Sequence, residues 1–336
     1  MADSEEKISK KKNARDFLKR GKEAGIMILN GIIGDRLENQ ENPLSAKMGF
    51  YRDRNPLRTE KAEIMKIYPD QKKKICILVH GLVSDEIMWN FPDSDDNYGN
   101  LLEKDFGFSS FYVRYNSGLH ISENGKTLAS LVNDLLNSLP VPAEEIVFIG
   151  HSMGGLVIRS ACHYAEKFGF RWTEKISRIF FLGSPHLGAP LEKFGNAVTA
   201  VLSHIPNPFT KLAKDIINTR SAGIKDLRFG YITDEDWMGR APDSFLENTK
   251  NPVPLLENVK YYIITGTMTE DPESLLSIWL GDSLVRKKSA KGESENKSHA
   301  LKFLEEHHME FPGISHISLM RDERVYVQIS DWIRRG

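Results

Sequence analysis

From Lys74 onward, short apolar runs alternate with stretches of helical periodicity, and that alternation leaves the chain few architectures. Ile75 to Val79, Ser110 to Tyr115, Ile146 to Gly150, Ile179 to Gly183 and Val259 to Thr265 read as buried strands. Between and after them the spacing predicts helices near Gly99 to Asp105, at Thr127 to Leu139, at Met153 to Phe168 and at Arg321 to Arg334. Strands separated by helices imply crossover connections, hence an α/β fold with a mostly parallel central sheet and helices on both faces. Such sheets bind ligands beyond the carboxyl ends of their strands. Upstream, Lys47 to Arg52 and Ala62 to Tyr68 read as short edge strands separated by a turn at Asn55-Pro56.

With 336 residues, 40% of them hydrophobic, the chain is long enough for one large core. The expected organisation is an amino-terminal amphipathic helix and connector over 1–46, then one domain over 47–336. Between about 190 and 258 the alternation lapses. Leu191, Phe194, Val198, Val201, Leu202 and Ile205 form one amphipathic stretch, and Phe209, Leu212, Ala213, Ile216 and Ile217 a second, split by Pro206-Asn207-Pro208. This pattern predicts a helical cap inserted between two sheet strands, with a helical excursion packed on the core as the alternative.

Lys plus Arg (45) nearly balances Asp plus Glu (46), so no overall field favours nucleic acid as a partner. Charge is uneven at the amino end, where Lys7 to Lys22 carries eight basic residues against one acid, Asp16. Over residues 7–33, Phe17, Leu18, Ile28, Leu29 and Ile32 recur at helical spacing opposite a basic face. A helix of that kind suits peripheral contact with an anionic membrane or docking on the domain. Its apolar stretch is too short to span a bilayer and lacks a small-residue cleavage site, so neither a transmembrane segment nor a signal peptide is expected. The two cysteines, Cys76 and Cys162, sit in apolar runs and read as buried hydrophobes in a reducing, cytoplasmic setting.

Chemistry concentrates where the strand Ile146 to Ile149 runs into Gly150-His151-Ser152-Met153-Gly154-Gly155. A sharp strand-to-helix turn forces the residue at its apex into a sparsely allowed conformation, and Gly150 and Gly154 let strand and helix approach closely. Ser152 is therefore the candidate nucleophile. A serine hydroxyl needs a base within reach, a carboxylate to orient that base, and donors for the developing oxyanion. Strand Ile75 to Val79 ends in His80-Gly81-Leu82, a glycine turn that can aim the Leu82 amide into the site, and the Met153 amide at a helix start is the second donor. His316, in Phe311-Pro312-Gly313-Ile314-Ser315-His316, is the candidate base. His151 is read as packing, since neighbours in a tight elbow point apart. His186, in Ser184-Pro185-His186, precedes every candidate acid and is read as shaping the site. Asp282 is the first choice of acid and Asp271 its rival. The remaining histidines lack metal-ligand spacing, so neither metal nor cofactor is expected.

Val79-His80-Gly81-Leu82, the elbow around Ser152, Gly183 to Pro190, Gly281 to Val285 and His316 together resemble the α/β-hydrolase superfamily. More narrowly, the chain resembles bacterial lipases and esterases related to the GPI inositol-deacylase catalytic domain. The resemblance covers roughly Lys74 to Gly336. It implies a serine hydrolase of carboxylic esters or lipids with Ser152, Asp282 and His316 as triad and Leu82 and Met153 as oxyanion amides. Arg286-Lys287-Lys288 and Ser294 to His299 are unusually charged for a lipase at this point and argue against a long apolar acyl site there. An acyltransferase using the same triad, or a hydrolase-fold protein that only binds a membrane or partner, are the other readings.

Overall fold

The computed structural model describes residues 23, 25–92, 94, 96–189, 220–239, 250–267, 289–294 and 299–336. Eight strands are present among these residues: β1 (Gly49–Arg52), β2 (Asn55–Leu57), β3 (Lys74–Val79), β4 (Phe108–Arg114), β5 (Glu145–His151), β6 (Ile176–Leu182), β7 (Lys260–Thr267) and β8 (His308–Pro312). They form one sheet in the order β2-β1-β4-β3-β5-β6-β7-β8. From β4 to β8 every pairing is parallel, while β1 runs antiparallel to both β4 and β2. The helices are α1 (25–39), α2 (Lys61–Ile67), α3 (Tyr98–Phe106), α4 (Ile121–Ser138), α5 (Met153–Lys167), α6 (Ala222–Phe229) and α7 (Glu323–Arg334).

Strand β3 shows why these runs become sheet. Its residues are buried on both sides: Ile75, Ile77 and Val79 face a core shared with α4, α5 and α6, whereas Cys76 and Leu78 face one shared with α3 and α7. Each such side chain contributes roughly 1.5–3 kcal/mol by leaving water. The chain places β4 on one side of β3 and then crosses over to place β5 on the other. A crevice opens at that reversal, beyond the carboxyl ends of β3 and β5, and both the Gly81 turn and the serine elbow lie there.

Two expectations need correction. Ala62 to Tyr68 is helical rather than extended: α2 buries Ile64 completely, leaves Met65 and Ile67 exposed and carries a Glu63–Lys66 pair one turn apart. A short apolar run does not by itself distinguish the two periods. Asn55-Pro56 is strand, with Pro56 opposite Tyr51; the turn is Asp53-Arg54, both at positive φ (48° and 67°), as a two-residue hairpin requires. Strand β8 carries no sequence signal, because as an edge strand it is only partly buried along its length.

The described part of the amino-terminal helix is docked on the domain. Met27, Ile32 and Leu37 are buried, and fully buried Asn30 donates to Ile26 O and Leu44 O while accepting from Ala46 N–H. In the region expected to form a cap, α6 packs on α4, with Asp226 accepting from Ile121 N–H at 2.8 Å. Residues 7–22, the stretches Leu191 to Ile217, Asp271, Asp282 and Arg286 to Lys288 lie outside the described residues. Cys76 and Cys162 are buried and unpaired. Among the described residues no helix is long and apolar enough to cross a membrane, and none of their His, Cys, Asp and Glu side chains form a cluster that could hold a metal ion.

Candidate active site

Strand β5 ends at His151 and α5 begins at Met153, which leaves Ser152 alone at the apex with φ 51° and ψ −123°. A non-glycine residue is strained there, and only its surroundings hold it. Ser152 N–H donates to Leu182 O at 2.8 Å, tying the elbow to β6, and Gly155 N–H donates to Ser152 O at 3.1 Å. The close approach expected of the glycines is present. A Cβ on Gly154 would lie 2.3 Å from Val79 O and 2.5 Å from His80 O, and one on Gly150 would lie 2.8 Å from Gly155 Cα.

Ser152 borders a small cleft that is also lined by Leu82, Val83, Ser84, Met88, His151, His316, Ile317 and Met320. Three of the sequence-selected residues, Leu82, His151 and His316, thus meet Ser152 in one place, although His316 follows it by more than 160 positions. The His316 ring lies over Gly183, where β6 ends. A Cβ at that glycine would be 2.8 Å from both Cε1 and Nδ1 of the imidazole, and Gly183 itself sits at φ 64°. Only glycine meets both conditions. Met153 is the first residue of α5, so its amide has no acceptor inside the helix and lies at the positive end of the helix dipole.

The turn after β3 is built to hold its shape. His80 is fully buried, and its ring stacks on Tyr115 with centroids 4.5 Å apart. Its Nδ1 is 2.7 Å from Gly81 O; a carbonyl only accepts, so Nδ1 carries the proton. That bond fixes the peptide plane whose other end is the Leu82 N–H. Tyr115 Oη in turn donates to His80 O at 2.8 Å. Gly81 backs the serine, since a Cβ on it would stand 3.0 Å from Ser152 Cβ.

His151 packs as the elbow geometry requires. It is buried, and its Nε2–H donates to the backbone carbonyl of His316 at 2.8 Å. Burial pushes the imidazoles of both His80 and His151 down to about 4, so both are neutral at neutral pH. His186 does not line the cleft. It is fully buried against Phe181 and Phe303, its carbonyl accepts from Lys250 Nζ, and burial, with Arg159 and Lys250 nearby, holds its imidazole well below the ordinary value. Val83, Met88, Ile317 and Met320 carry no sequence signal as cleft residues, because ordinary apolar side chains in loops and short 3-10 turns form no motif.

Residues 69–213, which hold the Gly81 turn and the elbow, match the family model described as "Putative serine esterase (DUF676)". No curated protein matches the chain in sequence. Similar solved structures include a lipase-esterase related protein from Clostridium acetobutylicum (14% identity, 77% of this chain and 94% of that one, TM-score 0.38). An esterase from Pyrococcus furiosus is similar at 12% identity, over 80% of this chain and 82% of that one, with TM-score 0.45. A monoacylglycerol lipase from Paleococcus ferrophilus is similar at 17% identity, over 78% of this chain and 94% of that one, with TM-score 0.39. Over residues 69–213 the chain is similar to a serine esterase family, and its mostly parallel eight-stranded sheet with a strand-to-helix elbow at Ser152 is an α/β architecture consistent with the α/β-hydrolase fold.

Proposed function

We propose that this protein hydrolyses carboxylic esters through an acyl-enzyme on Ser152. The observation that carries the reading is the strained Ser152 at φ 51°, sharing one cleft with His316 and with the turn that presents Leu82. The match of residues 69–213 to a serine esterase family supports the same class.

In this reading Ser152 Oγ attacks the ester carbonyl carbon while His316 takes the hydroxyl proton. The carbonyl oxygen becomes an oxyanion that accepts from the Leu82 and Met153 amides, each donor of this kind being worth about 3–4 kcal/mol. Collapse breaks the bond to the alcohol, which leaves with the proton from His316. Water, deprotonated by His316, then attacks the acyl-serine, and the acid departs as Ser152 regains its proton. Asp282 is assigned the carboxylate that orients His316, with Asp271 as its rival. The substrate is an ester or lipid, and the basic face within residues 7–33 is assigned peripheral contact with anionic membranes.

A fluorophosphonate probe tests the core of the proposal: it should label the wild-type protein and not Ser152→Ala. Equal labelling of both, or of neither, overturns it. A p-nitrophenyl ester series of increasing acyl length, with and without anionic vesicles, then separates a short-ester enzyme from one that works at a lipid surface.

A further inference from the structure

The amide assigned to the oxyanion belongs to the Gly81–Leu82 peptide plane, and a second plane, Leu82–Val83, follows it. The one before Leu82 is held by His80 Nδ1 on Gly81 O. The one after it ends in Val83, a β-branched residue at φ 54°, where such a side chain is a genuine outlier. A conformation of this cost persists only if neighbours impose it. Two neighbours do so. Fully buried Ser117 accepts the Val83 N–H on its Oγ at 3.1 Å. From the other side comes the backbone of α1: a Cβ on Gly31 would lie 2.3 Å from Val83 Cγ1 and 3.1 Å from Val83 N, so Val83 packs directly on a bare helix backbone.

That stretch of α1 is itself fastened. Ser221 Oγ donates to Gly31 O at 2.8 Å, Asn116 Nδ2 donates to Gly34 O at 2.9 Å, and Asp35 accepts from Ala222 N–H at 3.0 Å. Ser117 and Asn116 belong to the Tyr115-Asn116-Ser117-Gly118 segment, which leaves β4 at the same sheet edge. Tyr115 holds the His80 carbonyl and Asn124 Nδ2 donates to Asn116 O at 2.9 Å, so the segment is tied to the turn, to α1 and to α4.

We propose that Ser117, with the α1 backbone at Gly31, sets the direction of the Leu82 amide by holding Val83 in its left-handed conformation. Ser117 is thus a positioning residue for oxyanion stabilisation, and the amino-terminal helix is part of the catalytic apparatus rather than an appendage. The inference rests on the reading of Leu82 as an oxyanion donor. Without the Ser117 acceptor, Val83 relaxes toward negative φ and carries the Leu82 amide away from the serine, and a displacement of about 1 Å can cost roughly 100-fold in rate.

The test uses the full-length protein and a short p-nitrophenyl ester. Ser117→Ala is expected to lower kcat roughly 10- to 100-fold with KM within about threefold. Inhibition by a trifluoromethyl ketone, which forms an oxyanion on Ser152, should weaken by the same factor, while a competitive product acid binds as before. Ser117→Thr, which keeps the hydroxyl, should recover most of the loss. From the helix side Gly31→Ala should lower kcat in the same way, and adding Val83→Ala, which removes the obstructing Cγ1, should restore part of it. Should Ser117→Ala not fold, the Gly31 and Val83 pair decides alone. Ser117→Ala with kcat and ketone inhibition within twofold of wild type overturns the inference, as does a Gly31→Ala loss that Val83→Ala leaves unchanged. A wild-type protein without Ser152-dependent hydrolysis instead overturns the underlying ester hydrolase reading, and this inference with it.

Discussion

His151 Nε2 donates to the backbone carbonyl of His316 at 2.8 Å, with the two rings 4.7 Å apart, so the residue before the elbow serine holds the loop that carries the candidate base. His151→Ala removes that donor from a part-buried hydrogen bond and opens a void where the buried ring packed. A loss of about 1–3 kcal/mol in unfolding free energy is expected. A fall in kcat of at least about tenfold should accompany it, because the His316 loop loses its register to the elbow. Denaturant unfolding and steady-state kinetics on the same preparation check both.

Acid should destabilise the fold through His80 and His151. Both are held at about 4 by burial, against an ordinary value near 6.5. Between those limits the unfolded chain binds protons that the folded one does not, so stability is full above about pH 6.5 and declines as pH falls toward 4. The slope is about 1.4 kcal/mol per pH unit for each histidine. Unfolding midpoints measured from pH 7.5 to 4.5 should show the decline, and His80→Asn should reduce its slope.

Two glycine substitutions should differ in sign. On Gly154 a methyl group meets two backbone carbonyls at 2.3 and 2.5 Å, neither of which can move without disturbing β3, so Gly154→Ala should cost several kcal/mol, in line with an overpacked core, and abolish activity. On Gly25, in α1, a methyl group meets nothing within 4 Å. Gly25→Ala should stabilise by roughly 0.5–1 kcal/mol through helix propensity alone. Thermal melts distinguish them.

Glu86 and Arg114, the last residue of β4, form a part-buried ion pair. Glu86 is 2% exposed, accepts at 2.5 and 2.7 Å, and the guanidinium lies 4.1 Å over the Tyr51 ring. Arg114→Ala strands a buried carboxylate and should cost about 3–5 kcal/mol. The double variant Glu86→Leu/Arg114→Met should recover most of it, as equilibrium unfolding would show.

Much of this was legible from residues alone, for physical reasons that also explain the gaps. Strands such as Ile75 to Val79 and Ile146 to Ile149 are buried on both faces, so their composition announces them. Gly150 and Gly154 announce the elbow because a Cβ at either would collide with backbone, and the serine between them marks its apex. His308 to Pro312 has one open edge and mixed polarity, and gives no such sign. The segment Tyr115-Asn116-Ser117-Gly118 reads from sequence only as a loop near the sheet edge, and Ser117 and Gly31 matter through where the fold brings them, 34 and 52 positions from Val83 in sequence. Asp282, the first choice of acid, and its rival Asp271 both lie outside the described residues, and His186 suggested a cleft residue only because it follows a strand.

The hydrogen bond from His151 to His316 spans 165 positions, and the histidine arrives with β8, the last of the eight strands to leave the ribosome. The elbow can be complete long before, because β3, β5 and β6 already surround it. Contacts of such separation form late and slowly. Until they form, a growing chain carries the elbow serine without the histidine above it, so under the ester hydrolase proposal Ser152 stays without its base until the edge strand joins β7.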